Sequence, residues 1–295
     1  MSLESYVTGL MKEPSPKGID RLVLSGLSQL EKMYFSQVEK KRAADMASAV
    51  SVSVPVISVG NITAGGTGKT PCILMLAELF RSIGKKPAII SRGYKSGLEK
   101  EGGCISDGSS ILVSQQMAGD EPYMMARKLP SVPIFIGKDR IASVKRAEEM
   151  GVGILLLDDG FQYWKLRRDQ DIILIDATNP FGYGHGLPRG LLREPLDALS
   201  RASLFILTKS DQVHLTDLME IREELARLAP GVPVLSSTHA PSKVVPYEKW
   251  KVFLHEGTLE DVRMKKAYLV SGIGNPAAFK KTAKEAGLRP VGEMP

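Results

Sequence analysis

Cysteine is nearly missing from this chain: Cys72 and Cys104 are the only two in 295 residues. Two thiols cannot staple a chain of this length, and neither has His or Cys at ligand spacing. A disulfide framework and a zinc site are therefore excluded, and a reducing compartment is expected. The four histidines, His185, His214, His239 and His255, form no pair at metal spacing either. No run reaches the ~18–20 apolar residues of a spanning helix, and the start MSLESYVTGLMKEP has no basic segment followed by an apolar one. The expectation is a protein made and kept inside the cell. Repeats are missing too: the 18 prolines and 28 glycines fall between apolar runs without a short period, which excludes solenoids and low-complexity tracts. Aromatic residues make up 6% of the chain and interleave with no basic run, so nucleic acid is not an expected partner.

What remains is ordinary globular composition, 43% hydrophobic and 24% charged, in a length that suits about two domains of ~100–200 residues. Thirty-nine Lys and Arg against thirty-three Asp and Glu leave a net charge of +6, a balance that attracts anions and anionic surfaces at long range. No obligate protein partner is expected.

Residues 1–50 read as an amphipathic helical segment, because Ile19, Leu22, Val23, Leu27, Leu30, Met33, Tyr34 and Val38 recur at spacings of three, four and seven. Such a face either packs on its own domain or lies on a bilayer surface, which Arg21, Lys32, Lys40, Lys41 and Arg42 would permit. The residues alone favour packing. From Val52 the style changes to apolar runs alternating with helical stretches: VSVPVISVG, KPAIISRGY, PIFIG at 133–137, GILLLDD at 153–159, DIILID at 171–176 and LFILTK at 204–209. Runs without polar alternation imply strands buried on both faces, and alternation with helices implies a parallel sheet between helical layers.

VPVISVGNITAGGTGKTPCILMLAELF holds the sharpest signal. A phosphate-binding loop needs a strand, a glycine-rich bend whose N–H groups converge on phosphate oxygens, and a helix starting there with its dipole facing the anion. Thr63, Ala64, Gly65, Gly66, Thr67, Gly68, Lys69 and Thr70 supply the bend, with Lys69 able to reach phosphates and Thr70 placed for Mg²⁺. Thr63 stands where the strict pattern has its first Gly, so a glycine-rich turn with a stray Lys is the competing reading. The expected fold class is α/β: a P-loop NTPase-like, doubly wound, mostly parallel sheet over 51–235 with a second, smaller α/β domain over 236–295, read as cut short.

GILLLDDG ends an apolar strand in Asp158 and Asp159, where Mg²⁺ and ligands of such sheets gather, followed by Gly160, Phe161 and Gln162. The pair could instead cap the next element. DIILID, ending at Asp176, repeats the pattern more weakly. In MAGDEPYMMARKL, Asp120 and Glu121 open a helix, which capping alone would explain; as chemistry, Asp120 is a candidate to accept a hydroxyl proton in phosphoryl transfer. GHGLPRGLLREPLDAL presents Arg189, Arg193 and Glu194 on a Gly/Pro-rich loop. These suit bidentate phosphate contact, with Glu194 holding an arginine, or else they are solvated loop residues. Thr208-Lys209-Ser210-Asp211 resembles the guanine-reading element of GTPases, but Leu157 stands where the D-x-x-G aspartate should be. A regulatory P-loop GTPase or ATPase is thus the second hypothesis.

GNITAGGTGKTP, SRGY at 91–94, GDEP at 119–122, LLLDDGFQ at 155–162, LPRGLLREPL at 187–196 and SGIGNPAAF at 271–279 follow the order and approximate spacing of the tetraacyldisaccharide 4′-kinase (lipid A 4′-kinase) family, which the chain resembles over about residues 50–295. The combination is far more specific than any one motif. The resemblance implies a peripheral enzyme at the cytoplasmic face of the inner membrane that uses ATP and Mg²⁺ to phosphorylate the 4′-hydroxyl of a tetra-acylated glucosamine disaccharide 1-phosphate. It also implies that the N-terminal helix touches the bilayer, against the preference of the residues alone. Carried over, Lys69, Asp120 and Arg193 resemble catalytic positions, with Asp120 the base, and 63–70 the nucleotide loop. Thr70, Asp158, Asp159 and Gln162 resemble the metal side, and Glu121, Arg189, Arg193 and Glu194 the acceptor side.

Two departures stand out. The family usually has His after FQ, whereas here Tyr163 and Trp164 follow; Tyr donates a hydrogen bond but is not protonated near pH 7 as His can be. The family also continues beyond GEMP into a segment whose His partners the catalytic aspartate, whereas this sequence ends at Pro295. The expectation for the chain as given is intact nucleotide binding with impaired phosphoryl transfer.

Overall fold

Strands that are apolar at every position need cover on both faces, and this chain places helices between most of them. The computed structural model describes residues 3–13, 16–238, 240–252, 254, 256–272 and 276–294. Two helices lead, α1 (Leu3–Lys12) and α2 (Ile19–Ala47). There follow β1 (Val56–Asn61), α3 (Lys69–Ser82), β2 (Pro87–Ser91), β3 (Gly103–Asp107), α4 (Gln115–Ala118), α5 (Asp120–Lys128), β4 (Pro133–Ile136) and α6 (Arg140–Glu149). β5 (Ile154–Asp158), β6 (Gln170–Asp176), β7 (Leu204–Thr208), α7 (Leu215–Leu228) and β8 (Val234–Ser236) complete the sheet and its cover. Strand order is β3-β4-β2-β5-β1-β6-β7-β8. Neighbours are parallel except β3 with β4, an antiparallel edge pair.

Alternate residues of each strand serve opposite layers. Val59, Ile89, Leu156 and Leu174 pack with Ile73 of α3 and Met125 of α5 on one face. Ala88, Ile90, Leu155 and Leu157 pack with Val144 of α6, while Ile173, Ile175 and Phe205 pack with Leu225 of α7. The fold is therefore the α/β, mostly parallel, doubly wound one that the apolar runs imply.

The chain divides into two compact units, Met1–Ser237 and Thr238–Pro295. The second contains α8 (Tyr247–Lys251), β9 (Lys266–Val270), α9 (Pro276–Glu285) and β10 (Arg289–Met294), with β9 and β10 paired in parallel. His239, His255 and residues 273–275 of the SGIGNPAAF motif lie outside the described residues.

The first fifty residues fall within the first unit rather than apart from it. The apolar arc of α2 is split. Its inner edge turns Leu24, Tyr34 and Phe35 toward the sheet unit, while Ile19, Leu22, Leu30 and Met33 on the outer edge remain exposed, the first two by about three quarters. No helix among the described residues is long and apolar enough to cross a membrane.

Candidate active site

Register decides which residues meet at the sheet's C-terminal edge. Val59 lies level with Asp158 across β1 and β5, and Asn61 with Leu174 across β1 and β6, so the chain leaving β1 opens beside the paired aspartates. Gly60 permits the close approach: a Cβ there would sit 2.6 Å from the Cβ of Phe161. The loop then reaches Gly68 at φ 87, a left-handed conformation that favours glycine, and α3 begins with Lys69 and Thr70. That helix start has no side-chain cap, which leaves its N–H groups to an anion. A second segment braces the bend: Thr63 bridges Leu192, Ala64 N–H donates to the Leu191 carbonyl at 2.7 Å, and Arg193 N–H to the Ile62 carbonyl at 2.7 Å.

Charge converges on Asp159, itself at φ 47. Arg193 grips it with two arms, Nη1 to Oδ1 at 2.7 Å and Nη2 to Oδ2 at 3.2 Å, and Lys69 Nζ stands 3.8 Å from Oδ1. Burial works to raise this carboxyl, but the Arg193 hydrogen bonds and the charges of Arg193, Lys69 and Arg140 together hold it below the usual carboxylate range. Asp158 is the contrary case. Burial pushes its carboxyl up, offset only in part by the Ser91 hydroxyl donating to Oδ2 at 2.9 Å. Adjacent acids driven in opposite directions are a mark of functional sites. Arg140, buried at the start of α6, donates to the Asp159 carbonyl at 3.0 Å and lies 5.0 Å over the ring of Tyr163, whose hydroxyl accepts from Arg140 N–H at 3.1 Å.

Facing these groups across a cavity of about 720 Å³ is the start of α5. Asp120 and Glu121 line it with Lys69, Arg140, Asp158 and Asp159. Gln115 donates to Asp120 Oδ1 at 2.8 Å, and the Thr70 hydroxyl donates to the Glu121 carboxylate. The two helix starts, α3 and α5, thus bring Glu121 beside Thr70. One residue at the hub is given no role by the sequence reading: Asn61, whose Oδ1 accepts from Lys69 Nζ at 3.2 Å and Arg193 Nη1 at 3.3 Å. It lies within GNITAGGTGKTP, but only its place as the polar end of an apolar strand sets it apart from the loop residues that follow.

The family model described as tetraacyldisaccharide-1-P 4′-kinase matches residues 21–295. A tetraacyldisaccharide 4′-kinase of Halothermothrix orenii is 38% identical, the match covering 98% of this chain and 78% of that protein. The chain belongs to this family. Another member, from Desulfatibacillum aliphaticivorans, is 43% identical over 76% of this chain and 60% of its own length, so the chain spans about three fifths of that relative. The structure of "apo" form LpxK from Aquifex aeolicus, in complex with ATP, superposes with a TM-score of 0.69 at 28% identity, covering 92% of this chain and 81% of that one. The protein is accordingly a P-loop kinase of lipid A biosynthesis.

Within this kinase fold the expected site residues do not all meet. Lys69, Asp120, Glu121, Asp158 and Asp159 share the cavity, and Arg193 reaches it through Asp159. Arg189 lies elsewhere, in a groove of about 440 Å³ lined by Leu10, Leu24, Tyr183 and His185, with its Nη1 donating to Ser28 at 2.6 Å. Glu194, expected on the acceptor side, is fully buried: Arg201 Nη2 donates to its two oxygens at 3.0 and 2.8 Å, and Gln162 Nε2 donates at 2.9 Å. A carboxylate so enclosed faces the interior because Arg201, which no motif flags, supplies its countercharge and packs 4.3 Å over Phe161. Asp176 closes on Lys209 in an ion pair. The lysine of the GTPase-like Thr-Lys-x-Asp element is therefore tied within the protein, against the switch reading.

Proposed function

We propose that this chain passes the γ-phosphate of ATP to the 4′-hydroxyl of a tetraacyl glucosamine disaccharide 1-phosphate, with Lys69, Arg193 and the first amides of α3 gathering the terminal phosphates. The convergence of those two cations on Asp159 at an uncapped helix start carries the reading, and the ATP complex of the Aquifex protein supports it. In-line phosphoryl transfer asks chiefly for positioning and for neutralising charge. Lys69 and Arg193 provide the charge, while Asp120, across the same cavity, accepts the hydroxyl proton.

The oxygen donors nearby suit Mg²⁺. Gln162 Oε1 is buried without a hydrogen-bond partner, and the Thr70 hydroxyl, Asp158 and Asp159 add hard oxygens. Glu121, bonded to Thr70, joins that side of the site rather than the acceptor's. Mg²⁺ ordinarily keeps waters and phosphate oxygens in its shell beside one or two carboxylates. When bound, the ion neutralises charge on the phosphates.

On the acceptor side, the exposed Ile19, Leu22, Leu30 and Met33 of α2 suit a peripheral seat on the cytoplasmic face of the inner membrane. Arg189, in the groove behind that helix, is placed for an anion of the lipid. The deciding experiment is incubation with γ-labelled ATP and the monophosphorylated acyl disaccharide in detergent or bilayer. Label on lipid is expected. Release of phosphate from GTP with none on lipid overturns the reading in favour of a switch.

A further inference from the structure

The cation pair is held by a neutral group as well as by Asp159. Asn61 is the last residue of β1, fully buried and fixed in register opposite Leu174. Its Nδ2 donates to the Thr63 carbonyl at 2.6 Å, which anchors the side chain to the phosphate loop and turns Oδ1 the other way. There Oδ1 accepts from Lys69 Nζ at 3.2 Å and from Arg193 Nη1 at 3.3 Å. The Asn61 main-chain carbonyl accepts from Gln162 Nε2 at 3.1 Å. The side-chain amide thus joins the loop, the lysine and the arginine, and the main chain of the same residue adds the glutamine.

Only a side chain with a donor at one end and an acceptor at the other fits these partners. Aspartate would lose the donor to Thr63 and set a third carboxylate beside Asp158 and Asp159. Alanine would leave the Thr63 carbonyl and both cations without this partner. Lysine in particular sits on a flexible stem with high rotamer entropy, and an acceptor at a fixed point confines it. Asp159 confines the same cations by opposing their charge, whereas an amide oxygen does so without cancelling it.

We infer that Asn61 is a positioning residue whose neutral amide holds Lys69 and Arg193 together beside the nucleotide's terminal phosphates while leaving their charge available to them. The inference rests on the kinase reading above. Its test compares the wild type with Asn61→Ala and Asn61→Asp in two measurements: calorimetric titration with ATP, and kcat and KM with γ-labelled ATP and the acyl disaccharide. Asn61→Ala is expected to lower kcat about tenfold to a hundredfold with the acceptor KM unchanged, as misplaced catalytic groups do. Asn61→Asp is expected to bind ATP about tenfold more weakly than Asn61→Ala, because an added anion competes with phosphate for both cations. A merely structural tie to Thr63 predicts equal losses, since both variants lack the donor. Asn61→Ser, which keeps a short hydroxyl donor, carries the same kcat expectation and serves where the alanine variant does not fold. A kcat within about twofold of wild type, or equal ATP affinity in the Ala and Asp variants, overturns the inference. A wild-type chain that binds ATP but labels no lipid overturns the kinase reading instead, and the order of ATP affinities still decides on Asn61.

Discussion

Asp158 and Asp159 are consecutive carboxylates with opposite surroundings, and their difference can be measured. Asp158 is disfavoured as an anion by burial, so the folded state is penalised at neutral pH relative to a chain whose acid is free in the unfolded state. Asp158→Asn should therefore raise Tm at pH 8. The gain should shrink as pH falls through the raised folded value, where the wild-type acid also becomes neutral. Asp159 runs the other way: its lowered carboxyl contributes stability above the ordinary carboxylate range and loses it only as pH drops through the folded value. A pH series of thermal melts on both asparagine variants checks both signs. For the chemistry, Lys69→Ala should lower kcat about 10²–10³-fold. Asp120→Asn should slow turnover about 10²–10⁴-fold with little change in ATP affinity; a large loss of ATP binding would assign Asp120 to the metal side. Lys69, Thr70 and the two aspartates were legible because phosphate chemistry demands those residue types in that order. The parts of Asn61, although it lies within GNITAGGTGKTP, and of Arg201 were not, because each acts through partners distant in sequence, Arg193 for the one and Phe161 for the other.

At the scale of elements, α3 carries the phosphate loop's helix start and is fixed to the sheet through Ile73, which has no exposure. Ile73→Ala should lower unfolding free energy by about 2–5 kcal/mol, read from urea denaturation, with ATP affinity falling as the helix start loosens. The helix was legible from its glycine-rich entrance and apolar spacing. β3 was not: GCISD is short, antiparallel and at the edge, without the unbroken apolar run that marks strands covered on both faces. The long N-terminal helix was legible as a helix, but its spacing cannot say which part of a wide apolar arc is packed. Contacts settle that. Tyr34 donates to the Arg193 carbonyl at 3.1 Å, Glu31 accepts from Gly186 N–H at 2.5 Å, and Lys41 lies 5.0 Å over Trp164. Tyr34→Phe, which removes one hydrogen bond worth about 0.5–1.5 kcal/mol, should lower kcat several-fold more than it lowers ATP affinity in the same calorimetric titration.

For the molecule as a whole, the proposed seat on a membrane would draw on both the net charge of +6 and the exposed edge of α2. Replacing Ile19 and Leu22 with Asp should cut partition onto vesicles containing anionic phospholipid by about tenfold or more, from lost apolar burial. Co-sedimentation reads that loss, and ATP titration should be unaffected. Rising salt should weaken the wild type's association without abolishing it, since apolar burial is not screened.

The clasp of Arg193 and Lys69 around Asp159 sets the terms on which any anion enters. The resting enzyme already houses a built-in negative guest between its two cations. On the proposed reading, a phosphate group reaching these cations would exchange with that guest instead of falling into an open positive hole. A triphosphate, with several anionic groups, would compete with the carboxylate better than a lone inorganic phosphate, and calorimetric titration with each checks that order.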